Sequence, residues 1–133
     1  MQSTLDQKLA ECQKAQVKTE AESCIRVAAE TEKNGQACSE IETVNVRDYC
    51  YGNVAGILKD QQLCGSIVTD TSRNACYSRV AVELKDSGIC EKIENALAAK
   101  DQCYYEIAKA KNDTVLCEKI YGDYLKKKCQ TGA

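Results

Sequence analysis

Apolar residues recur along this chain in a fixed register set by its cysteines. Around Cys50 they fall at 0, +1, +4, +5 and +8, as Cys50, Tyr51, Val54, Ala55 and Leu58. That spacing is the stripe of an amphipathic helix, here of about thirteen residues. Around Cys64 the pattern is shorter, Leu63, Cys64 and Ile67, and predicts a helix of two or three turns. Helix-starting residues separate the two kinds of segment: Asn34-Gly35, Asp60, Asp86-Ser87-Gly88 and Asp113-Thr114 before short helices, and Asn45, Asp70-Thr71 and Gly122-Asp123 before long ones.

The pattern repeats. Cysteines stand at 12, 24, 38, 50, 64, 76, 90, 103, 117 and 129, so pairs recur every 26 to 27 residues, five times. The first cysteine of each pair is followed at +3 by Ala15, Ile41, Ile67, Ile93 and Ile120. The second is followed at +1 by Ile25, Tyr51, Tyr77, Tyr104 and Gln130, and at +5 by Ala29, Ala55, Ala81 and Ala108. Self-similarity at this period is the signature of a repeat architecture. The expected fold is all-α: five tandem helix-turn-helix repeats stacked as an α-solenoid in one domain, residues 1–133. The repeats are 1–33, 34–59, 60–85, 86–112 and 113–133, the last truncated. One hairpin cannot bury its apolar face alone, so neighbours must cover one another. Leu5, Leu9 and Cys12 lie on one side of an otherwise polar first helix, which is expected to cap the N-terminal end.

Composition explains why cysteine is needed. There is no Phe, Trp or Pro and one Met, so burial rests on aliphatic side chains, Cys and seven Tyr. Such a core gains from covalent staples. Pairing at spacing 12 or 13 joins Cys12–Cys24, Cys38–Cys50, Cys64–Cys76, Cys90–Cys103 and Cys117–Cys129, and uses all ten. Each bridge then crosses an antiparallel hairpin and closes a loop worth roughly 3 kcal/mol by chain entropy. The other register, joining Cys24 to Cys38 onward, leaves Cys12 and Cys129 free to bridge neighbouring molecules.

Other chemistry finds little support. Zinc would want CxxC or His ligands, and the chain has no His. A thiol nucleophile would lack its usual base. No catalytic residue, cofactor or metal site is therefore expected, and the chain is read as no enzyme. The carboxylates alternate with Lys and Arg and are expected on solvated helix faces. A row of basic residues at −3 from the second cysteine, Arg47, Arg73, Lys100 and Lys126, has Asp48 and Asp101 beside two of its members. Tyr51, Tyr77 and Tyr104 share one register and are expected to form a packing ladder between repeats. Asn112-Asp113-Thr114 is a candidate N-glycosylation sequon that a helix start explains equally well.

With 18 basic and 20 acidic residues the net charge is −2, which disfavours nucleic acid as a partner, and no apolar run spans a membrane. The start MQSTLDQKLAEC has no apolar run after Met1, so no signal peptide is read there; an exported chain would have lost its leader. Five cysteine pairs point to an extracellular or cell-surface location, the cytoplasm of a hyperthermophile being the alternative. Nine Gln and six Asn weaken that alternative.

The two-helix unit resembles tetratricopeptide and Sel1-like repeats, and the paired cysteines resemble the cysteine-rich Sel1-like proteins, in which each hairpin carries a disulfide. Those families repeat every 34 to 38 residues or so, against 26 to 27 here. The resemblance implies an interaction scaffold from an oxidising compartment. Two functions are expected: first, an extracellular structural subunit whose incomplete last repeat docks on the first repeat of the next molecule, stacking head to tail into a fibre; second, a monomeric secreted module that binds a peptide or surface partner on its concave face.

Overall fold

The computed structural model describes residues 2–132, and among them every regular element is helical. Helix α1 (Gln2–Cys12) packs on α2 (Lys18–Thr31), and the row of long helices continues with α3 (Val44–Leu58), α5 (Asp70–Leu84), α7 (Leu97–Lys111) and the nine-residue α8 (Asp123–Thr131). Between the long helices lie a 3₁₀ turn (Gly35–Glu40), α4 (Gln61–Cys64), α6 (Ser87–Cys90) and a second 3₁₀ turn (Thr114–Lys119). Each of these short elements touches the long helix before it and the one after it, so the packing is that of a solenoid.

The turn out of each long helix is built the same way. Lys33, Lys59, Lys85 and Asn112 take left-handed conformations, with φ of 53° or 54°. The next residue, Asn34, Asp60, Asp86 or Asp113, donates its amide to the carbonyl of Ala29, Ala55, Ala81 or Ala108, at 2.9 to 3.0 Å. This is the Schellman closure of a helix. The same Asn or Asp then accepts, through its side chain, the amide two residues on, and so starts the short element. The +5 alanine of the repeat thus has two roles: its methyl lets the helices approach, and its carbonyl ends the helix.

α4 and α6 are single turns, shorter than the two or three expected, whereas the two six-residue 3₁₀ helices reach two turns. The cause is position: the chain must leave the short element in time to reach the next long helix, and between Asp60 and Val68 it makes one α turn. The apolar stripe is shorter than its pattern as well. Ile41, Val54, Val80, Ile107 and Ile120 are wholly buried, whereas Leu58 and Leu84 at +8 end their helices and stay 43% and 45% exposed. Two clusters of buried side chains, one in each half of the row, meet at Tyr51 and Leu63, which pack against both. Tyr77 is half-buried against the second cluster and Tyr104 belongs to it.

Disulfides join Cys12–Cys24, Cys38–Cys50, Cys64–Cys76, Cys90–Cys103 and Cys117–Cys129, with Cα atoms 5.3 to 5.9 Å apart. Each lies within one hairpin, and no free cysteine is present among the described residues.

Candidate functional site

The residue two before the second cysteine of each repeat is polar and buried: Glu22, Asp48, Asn74 and Asp101, each at most 6% exposed. The three carboxylates among them were expected on solvated faces, and they turn inward instead. Each reaches the chain just ahead of the next long helix. One Glu22 oxygen accepts the amides of Glu42 and Thr43 at 2.9 and 3.1 Å. The two Asp48 oxygens accept Val68 and Thr69 at 3.1 Å each, and the two of Asp101 accept Tyr121 and Gly122 at 2.8 and 2.9 Å. Asn74 differs, accepting the Glu94 amide at 3.2 Å and donating to the Glu94 carbonyl at 2.9 Å.

The reason for this series lies at the helix starts. Thr43, Thr69, Ala96 and Gly122 precede the long helices, and none of them caps its own helix with a side chain. The acceptor comes from the preceding repeat, and at three junctions it is a carboxylate placed near the positive end of the next helix dipole. Thr43, through its side chain, holds the Glu22 carboxyl below its usual range against the opposing effect of burial, and the amides of Thr43 and Glu42 and the Lys18 charge act the same way. Asp48 and Asp101 therefore do not pair with the basic residues beside them. Arg47 and Arg73 instead donate to the loop carbonyls of Ile41 and of Ile67 and Val68, and Arg73 also pairs with Asp70 at 2.6 Å.

The fifth repeat breaks the series: the corresponding residue is Lys127, which is exposed. An ammonium group has no lone pair with which to receive an amide. The signal was present in the sequence as a column of Glu, Asp, Asn, Asp and Lys at the repeat period.

Other features complete the surface. Shallow hollows of about 450, 320 and 360 Å³ follow the seams α2/α3, α3/α5 and α5/α7, each with a clamp residue, Glu22, Asp48 or Asn74, in its lining. A further hollow of about 270 Å³ lies at the last repeat, lined by Asn112, Asp113 and Thr114 among others. Asn112 is exposed there, at the left-handed end of α7, so the sequon sits in a turn. Glu91 accepts a short hydrogen bond from the Tyr104 hydroxyl. That bond, opposed by burial and aided by Lys119, lowers the Glu91 carboxyl, while burial and then Glu91 push the Tyr104 hydroxyl well above its usual value. Among the described residues, no group of three or more His, Cys, Asp or Glu could hold a metal ion, and no helix is long and apolar enough to cross a membrane. Comparison with protein-family models, with curated proteins and with solved structures finds no match to this chain.

Proposed function

We propose that the chain is a non-enzymatic interaction module of an extracellular or cell-surface environment, a stapled row of helices whose rigid surface holds a partner protein. The observation that carries this reading is the end of the clamp series at Lys127. A second copy stacked in register would bring the amides of Gln16 and Val17, the counterparts of Glu42 and Thr43, to a cation in place of a carboxylate. Continuation of the solenoid from molecule to molecule would thus lack the contact that recurs at the four internal junctions. Five intrachain disulfides suit an oxidising compartment. The stapled hairpin supports kinship with tetratricopeptide and Sel1-like repeats, with a single α turn or a short 3₁₀ helix standing in repeats two to five where those families carry a second helix.

A fibre subunit built by head-to-tail stacking is the second reading. The exposed Val115, Tyr121 and Tyr124 of the last repeat favour it, as surface that another molecule would cover. Sedimentation velocity of the oxidised protein over a wide concentration range, with electron microscopy of the same samples, separates the two. The module predicts one monomeric species throughout. Filaments, or a ladder of oligomers growing with concentration, would replace it with the fibre.

A further inference from the structure

The last repeat differs from the rest in charge, in exposure and at the clamp position. Residues 113–133 carry four Lys against three Asp or Glu, a net +1, whereas residues 1–112 carry fourteen basic and seventeen acidic residues, a net −3. Three of the four lysines have internal work. Lys119 pairs with Glu91 at 3.4 Å and Lys126 with Glu118 at 3.9 Å, while Lys128 stands 5.6 Å from the centre of the Tyr105 ring. Lys127 is exposed and has no ion pair among the described residues. The most exposed large apolar side chains of the described chain are in the same repeat: Val115 at 77%, Tyr121 at 75% and Tyr124 at 80%, where no other exceeds 60%. Tyr124 precedes Lys127 and Lys128 by three and four residues on α8, the spacing of neighbours on a helix surface.

We infer that this end of the row is a docking surface for an acidic polypeptide segment, and that Lys127 is its specificity-determining charge. The inference rests on the module reading above and names its partner. At four junctions the clamp position offers an acceptor to backbone amides; at the end of the row it offers a donor and a positive charge. A partner that presents carboxylates meets Lys127, which shares a helix face with Tyr124. The exposed rings of Tyr121 and Tyr124 offer apolar surface to the methylene stems of Glu side chains. The difference in sign between the end and the body steers an acidic segment toward the last repeat and away from the remainder. Nucleic acid fits less well, because its longer backbone charge would run onto the acidic body.

The test measures fluorescence anisotropy of a short Glu-rich peptide titrated with the whole oxidised protein, beside a Gln-rich peptide of equal length and single-stranded DNA. Binding of the Glu-rich peptide alone is expected, weakened by salt. Lys127→Glu should lower the affinity about tenfold, a charge reversal at an exposed contact, whereas Lys59→Glu on the body should leave it unchanged. Equal binding to both variants, no binding of the Glu-rich peptide, or preference for DNA would overturn the inference while leaving a monomeric module intact. Oligomers of the wild-type protein that Lys127→Glu abolishes would make a second copy the occupant, and would overturn the module reading as well. Circular dichroism of each variant shows whether the helices are retained, and Lys127→Ala provides a neutral replacement at the same position.

Discussion

Asn74 occupies the clamp position whose neighbouring loop is one residue longer. The cysteines of the fourth repeat are thirteen apart, and Asn95 in that loop takes a left-handed φ of 55°. With the added residue, both the amide and the carbonyl of Glu94 face the clamp, and an amide side chain can answer both. Elsewhere two amides face it and a carboxylate answers both. The exchange should therefore fail in either direction. Asn74→Asp leaves the Glu94 carbonyl facing a carboxylate, Asp48→Asn leaves one amide facing a donor, and each should lower stability by about 1–3 kcal/mol in urea unfolding. A silent Asp48→Asn would mean that the clamp does not stabilise the stack. Glu22 adds a dependence on acid. Its carboxyl titrates below its ordinary value of 4.5 when folded, so its contribution is complete above that pH and is lost as pH falls through the folded value. Glu22→Gln should flatten part of the acid side of the stability profile, measured by the same unfolding series. None of this was legible from charge alternation, since a buried acid beside an Arg looks the same as a solvated one. The register was legible, and only the four backbone contacts give the column its meaning.

At the scale of the element, the long helices were readable because apolar spacing persists through several turns, and their ends because Asn or Asp opens each short element. Two of the short elements, α4 and α6, were misjudged in length. Three apolar positions spanning one turn are compatible with a helix of any length, and the limit comes from the next repeat, whose clamp takes hold of the chain at Val68 and Thr69. The left-handed lysines carry their own consequence. A residue with a Cβ at this backbone conformation costs roughly 1–2 kcal/mol, which glycine avoids at some expense in unfolded-chain entropy. Lys59→Gly, at an exposed turn, is expected to raise stability by about 0.5–1 kcal/mol, checked by thermal unfolding; a loss would mean that the Lys59 side chain contributes more than its backbone costs.

At the scale of the molecule, the main contacts among the described residues run within a repeat or between adjacent repeats, so stability is approximately a sum of repeats and seams. Opening one staple should then have an effect that depends on where it lies. Replacing Cys117 and Cys129 with Ser should cost about 2–4 kcal/mol locally and loosen the last repeat alone, while replacing Cys64 and Cys76 should loosen the centre and both seams that meet there. Hydrogen exchange read by mass spectrometry distinguishes these patterns, and uniform loosening in both variants would show that the row melts as one unit. The period and the pairing of cysteines made this linear plan visible in the sequence. The change at the last clamp position was present in the sequence too, but a single lysine in that column carries no meaning until the contacts of its acceptors are known.

Ten thiols can be joined in roughly nine hundred ways, yet here every cysteine is bonded to one of its two sequence neighbours. A chain that emerges from its N-terminus meets the correct partner of each thiol before any later pair has appeared. The clamps act over distances nearly as short, reaching 20 or 21 residues ahead. Contact order is therefore low, and oxidation in order of appearance should favour the native bridges.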